Sequence, residues 1–94
     1  MPEKEHDPYA ILKLLSDTQR IEILRELKRE DEVSFSDLWR KSGLQSGRLA
    51  FHLRKLKPLL RKTKEDHYAL SETGLKALEV LEYYEKILTI ENHD

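Results

Sequence analysis

The 94-residue chain has no cysteine, only three glycines and three prolines, one methionine and one tryptophan. Without thiols it can build no disulfide scaffold, no cysteine-ligated zinc finger and no thiol nucleophile. No stretch approaches the roughly 20 consecutive apolar residues that span a bilayer. The opening residues, Met1 to Asp7, are too acidic for a secretory signal. A cytoplasmic setting without a membrane partner is the expectation. The sequence also lacks a glycine-rich phosphate loop, a dinucleotide fingerprint and a recognisable nucleophile with its base, so no enzyme and no cofactor are expected. Aromatic residues make up 7% and hydrophobic residues 38% of the chain. That supports one thin core, hence a single domain over residues 1–94 that gains from burying apolar surface against a partner.

One further scarcity is local. From Arg40 to Lys64 there is no Asp or Glu, while nine basic residues fall in the same window. The rest of the chain holds eight basic and eighteen acidic residues, so a formal charge of −1 hides strong segregation. A field of one sign over a contiguous surface steers polyanions. A charge run can also be simply a solvated face, but nine to none favours a polyanionic partner.

Along the chain, Asp7-Pro8 offers a helix start with proline in the first position. Ser16-Asp17-Thr18-Gln19 reads as a capping box. Ser36-Asp37 is expected to cap a third helix that Gly43 ends. Leu49, Leu53 and Leu56 recur at i, i+4, i+7, and Pro58 should close that fourth helix. Glu32 to Phe35 alternates like a short strand or extended link. Leu59–Thr63 and His67–Leu70 flank Lys64-Glu65-Asp66 as a hairpin. Ser71 opens a long last helix. The expected helices cover residues 8–15, 17–30, 36–42, 45–57 and 72–90. Two helices joined by a short glycine turn and followed by a hairpin make a winged helix-turn-helix, mainly α with a small β wing.

These residues resemble a known family. Leu14-Leu15-Ser16-Asp17-Thr18-Gln19-Arg20-Ile21-Glu22-Ile23-Leu24 resembles the second-helix signature of ArsR-type winged-helix regulators. Phe35-Ser36-Asp37-Leu38 with Gly43-Leu44 is similar to their third helix and turn. Arg48 to Leu56, with its His52-Leu53 pair, looks like their recognition helix. Tyr68-Ala69-Leu70-Ser71 and Gly74 match the end of the wing and the start of the last helix. The resemblance spans about residues 10 to 80. It implies a homodimeric, sequence-specific, double-stranded DNA-binding transcriptional regulator, expected to be a repressor and nucleoid-associated when bound. It also implies a dimer interface made by the first and last helices. Trp39 stands where a small residue is common, so the third helix is expected to pack differently.

Candidate DNA contacts follow from the helical period. Ser46, Gly47, Arg48, Phe51, Arg54 and Lys55 should face outward on the fourth helix, because the leucines face inward. Arg48 suits a bidentate guanine contact. Gln45 and Ser46, at the helix start, suit phosphate. Gly47 suggests close approach of DNA or of a neighbouring helix. Phe51 either meets a thymine methyl or is buried against the wing, burial being favoured. Arg54, Lys55 and Lys57 suit phosphates. Arg61, Lys62 and Lys64 place charge on the wing, along the backbone or in the minor groove. The four histidines, His6, His52, His67 and His93, have no helical i, i+4 pairing, and no metal is expected. His52 reads as a packed helix residue and His67 as exposed. Glu72, Glu79, Glu82 and Glu85 read as a solvated face.

The last helix carries two apolar stripes: Leu75, Leu78, Leu81, Tyr84 and Leu88, and Val80, Tyr83, Ile87 and Ile90. One can close the core. The other, over 72–91, is expected to meet a second copy together with Tyr9, Ile11 and Leu12. The interface set is thus Tyr9, Ile11, Leu12, Val80, Leu81, Tyr84, Ile87 and Leu88. A winged-helix interaction module that grips an acidic protein stays open as the alternative.

Overall fold

The fold is described by a computed structural model for residues 7–91. Met1 to His6 and His93 lie outside the described residues. Helix α1 (Pro8–Leu14) starts where the Asp7 side chain accepts a hydrogen bond from the Tyr9 N–H at 2.9 Å. It ends one residue earlier than expected, because the Leu15 N–H is shared between the Ile11 and Leu12 carbonyls. Leu15 itself is buried.

Helix α2 (Thr18–Glu30) is capped by Asp17, not by a Ser16–Gln19 box. The Asp17 carboxylate accepts from the Arg20 N–H at 3.1 Å, and that bond holds its pKa below the ordinary value. Ser16 Oγ instead donates to the Lys13 carbonyl, and Gln19 turns elsewhere. The Arg20 guanidinium donates to the carbonyls of Leu14 and Lys13, tying the end of α1 to α2. Ile23, Leu24 and Leu27 face the core.

Val33 pairs in antiparallel fashion with Tyr68, through bonds of 2.9 and 2.8 Å. The chain is therefore still extended at Ser34, which becomes the cap of α3 (Phe35–Ser42) by accepting from the Asp37 N–H. This replaces the expected Ser36-Asp37 cap. Leu38 is buried, Phe35 packs at the core margin, and Trp39 is exposed. Gly43, at φ 72°, turns the chain in the left-handed conformation that favours glycine.

Helix α4 (Ser46–Lys55) is shorter than the expected 45–57. Gln45 is the cap residue, and Lys57–Leu59 tightens into a 3-10 turn around Pro58. Strands β1 (Leu60–Lys62) and β2 (Tyr68–Leu70) then pair with Leu60 opposite Leu70, Arg61 opposite Ala69 and Lys62 opposite Tyr68. They are shorter than the sequence runs, since Leu59 is buried in the 3-10 turn. Asp66 takes a φ of 66°, and its N–H reaches the Thr63 carbonyl, closing the hairpin. With Val33 on its other side, β2 is the middle row of a small sheet.

Helix α5 (Glu72–Glu91) opens with Ser71 Oγ accepting from the Gly74 N–H at 3.0 Å. Of its first stripe only Leu78 is fully buried. The acidic face is not simply solvated. Glu82 meets Lys28 at 2.9 Å and Arg25 at 3.7 Å, and Glu85 pairs with Arg25. These bonds hold α5 across α2. The molecule is mainly helical with an antiparallel hairpin, in a winged-helix-like layout.

Candidate nucleic-acid interface

The buried side of α4 is made by Leu49, His52 and Leu53. Everything the period placed outside is outside: Ser46, Gly47, Arg48, Phe51, Arg54 and Lys55 are all exposed, as is Gln45 at the helix start. Among the described residues a β-carbon on Gly47 would meet nothing within 4 Å, so no described neighbouring helix explains the glycine. Phe51 is not buried against the wing. It is 40% exposed, with the Lys55 ammonium 5.6 Å from its ring centre. The helix therefore offers an aromatic edge among cations.

Between α4 and the hairpin runs a groove of about 560 Å³. Its apolar floor comes from Ala50, Leu53, Leu60 and Tyr68, and its cations are Arg54, Lys57, Arg61 and Lys62. Three separate elements thus bring four basic residues to the lining of one concavity. Tyr68, which the sequence did not mark as a site residue, lies under the Lys62 ammonium at 4.4 Å. Lys64 sits exposed beside the hairpin turn.

The nine basic residues are not equivalent. Lys41 is held by Glu26 at 2.8 Å and Glu30 at 3.5 Å, which raises its pKa. Arg40 is paired with Asp37. Lys62 reaches Asp66 at 2.8 Å, and that hydrogen bond raises the lysine pKa and lowers that of the aspartate. Among the described residues, Arg48, Arg54, Lys55, Lys57, Arg61 and Lys64 have no ion-pair partner. The unpaired charge therefore concentrates on α4 and the wing, away from α3.

Two histidines are described. His52 is 1% exposed, and its Nε2 lies 2.8 Å from Gln19 Oε1. Among the described residues its Nδ1 has no partner. Burial is the main cause that lowers its pKa. His67 is half-buried rather than exposed, with Nδ1 3.4 Å from Glu32 Oε1. Among the described residues no three His, Asp or Glu side chains gather closely enough to hold a metal ion.

Elsewhere, α1 and α5 each show large apolar side chains. Tyr9 is 76%, Val80 64% and Tyr84 57% exposed, and Leu12 and Leu88 are also exposed. Ile11, Leu81 and Ile87 are half-buried. Among the described residues no helix is long and apolar enough to cross a membrane.

A family model described as "Domain of unknown function (DUF7347)" matches residues 8–81, which takes in every element from α1 to the first half of α5. No curated protein matches the chain. No solved structure matches it either.

Proposed function

The chain belongs to the DUF7347 family, whose description carries no activity, and from that starting point we propose that it is a dimeric, sequence-specific regulator binding double-stranded DNA. The observation that carries the reading is the groove in which Arg54, Lys57, Arg61 and Lys62 converge from α4, the 3-10 turn and the hairpin. A helix of this size fits the major groove, with residues of its N-terminal half nearest the base edges. Arg48 then reads guanine through its planar fork, and Phe51 offers an apolar contact for a thymine methyl. Gln45 and Ser46 meet phosphate at the helix start. Lys55 and Lys57 neutralise the strand beside α4, while Arg61, Lys62 and Lys64 follow the backbone past the wing.

The exposed apolar surface of α1 and α5 pairs with its copy about a two-fold axis. Two recognition helices then meet successive major grooves, with half-sites about 34–36 Å apart. Occupying such a site excludes other proteins from it, so repression is the expected consequence.

The test is binding to random-sequence duplex at two salt concentrations, followed by selection of a preferred site. Affinity should fall with a log-log slope of about −0.9 per phosphate neutralised. Arg48→Ala should cost about 1–3 kcal/mol on the selected site and relax one base pair, and Arg48→Lys should not restore the discrimination. An affinity indifferent to salt, or a preference for an acidic protein over duplex, overturns the reading.

A further inference from the structure

Three side chains seat α4 on the rest of the domain: Leu49, Leu53 and His52. The two leucines are held by burial, which is not directional and tolerates sliding. The imidazole is different. Its Nε2 makes a 2.8 Å hydrogen bond to Gln19 Oε1, a side chain in the first turn of α2. It is the directional tie from the buried side of α4 to α2.

We propose that Gln19 and His52 are positioning residues for the recognition face: their hydrogen bond fixes the rotation of α4 on α2, and so the direction of Arg48, Phe51 and Lys55. These three flank His52 at one turn before, one residue before and nearly one turn after. A helix with side chains has a radius of about 5–6 Å, so a rotation of about 20° moves a side-chain tip by about 2 Å. A hydrogen bond to a base edge does not survive such a displacement.

The geometry also sets a proton dependence. With the amide oxygen as acceptor, Nε2 carries the hydrogen and the ring is neutral. Nδ1 is buried and has no partner among the described residues, so a proton added there finds no acceptor among them. The resulting cation faces Arg20 from α2 and Arg48 from its own helix, with only Asp17 attracting it. Burial, first, and these two arginines lower the His52 pKa from its ordinary value of 6.5. The seated ring is therefore fully favourable above that value. Its contribution is lost as the pH falls below it toward the depressed folded value.

The functional half of the proposal rests on the DNA-binding reading, and its structural half does not. In the DNA-free intact chain, nuclear magnetic resonance should find the His52 imidazole titrating below the ordinary histidine range. The amide signals of Arg48, Phe51 and Lys55 should move with the same midpoint. If they stay still while His52 titrates, the ring does not position α4 and the proposal fails, whatever the chain binds.

The second arm uses random-sequence duplex and, once selected, the preferred site. Gln19→Leu alone strands a buried N–H and should lower stability. The double replacement Gln19→Leu with His52→Leu removes both polar partners and should restore it. Affinity for the preferred site should nevertheless stay about tenfold below that of the natural chain, and the loss of binding that the natural chain should show as the pH falls below the ordinary histidine value of 6.5 should vanish. A double variant that binds with the natural affinity and the natural pH profile overturns the proposal. If no variant binds duplex, the DNA reading fails and the spectroscopic arm alone decides.

Discussion

Gly74 lies against the carbonyl of Leu59 so closely that no β-carbon fits between them. A β-carbon at position 74 would stand 2.9 Å from the Leu59 carbonyl carbon and nearer still to its oxygen. The obstruction is backbone, held in the 3-10 turn and bonded through that same carbonyl to the Ser71 N–H. It cannot rotate aside like a side chain. Glycine in the first turn of α5 is therefore what lets the helix lie on the 3-10 turn that follows α4.

The first prediction concerns that contact. Gly74→Ala should destabilise the chain, although alanine is the better helix former by about 0.8–1 kcal/mol. Backbone overpacking typically costs about 1–3 kcal/mol and here must exceed the helix gain. Urea denaturation should show a lower midpoint, and a raised midpoint would show that α5 shifts freely on the turn.

Asp66 provides a second. Its carboxylate holds Lys62, and its backbone sits at a φ of 66° that asparagine also tolerates. Asp66→Asn should keep the hairpin while freeing the lysine. Duplex affinity should rise by a factor of about two to five, and the salt slope should steepen by up to about one phosphate. Unchanged affinity with an intact hairpin would mean that Lys62 does not reach the backbone.

The dimer makes the third. Val80 and Tyr84 are exposed on successive turns of α5, so charging them leaves the single-chain core untouched. Val80→Glu with Tyr84→Glu should convert a dimer into a folded monomer, seen by sedimentation with helix content preserved. Apolar burial contributes about 25 cal/mol per Å², and two such side chains supply a large share of a small interface. A natural chain that sediments as a monomer would give this surface another use.

Much of the fold was legible because its signals are local. Asp7-Pro8, Gly43 and Ser71 punctuate the chain whatever lies far away, and the spacing of Leu49 and Leu53 fixed which side of α4 turns outward. The acid-free stretch likewise marked the cationic surface. What escaped depends on distant partners. The α3 cap moved to Ser34 because Val33 pairs with Tyr68. Gln19 left its capping box for His52, and Glu82 and Glu85 left solvent for Arg25 and Lys28. Phe51 was misjudged for a related reason. Whether an aromatic residue on a helix is covered depends on how far the hairpin leans over it, and no local pattern encodes that.

The pairing of Val33 with Tyr68 has a consequence for shape recognition. Tyr68 stands opposite Lys62 of the wing on one edge of its strand and is hydrogen-bonded on the other to Val33, one residue ahead of the cap of α3. Wing and helix-turn-helix are thus riveted through a single strand and cannot open or close against each other without breaking it. On the proposed reading the protein works as a caliper with a set jaw. The duplex, being the softer body, does the adjusting, and sequences that reach that width cheaply should be preferred even at positions no side chain touches.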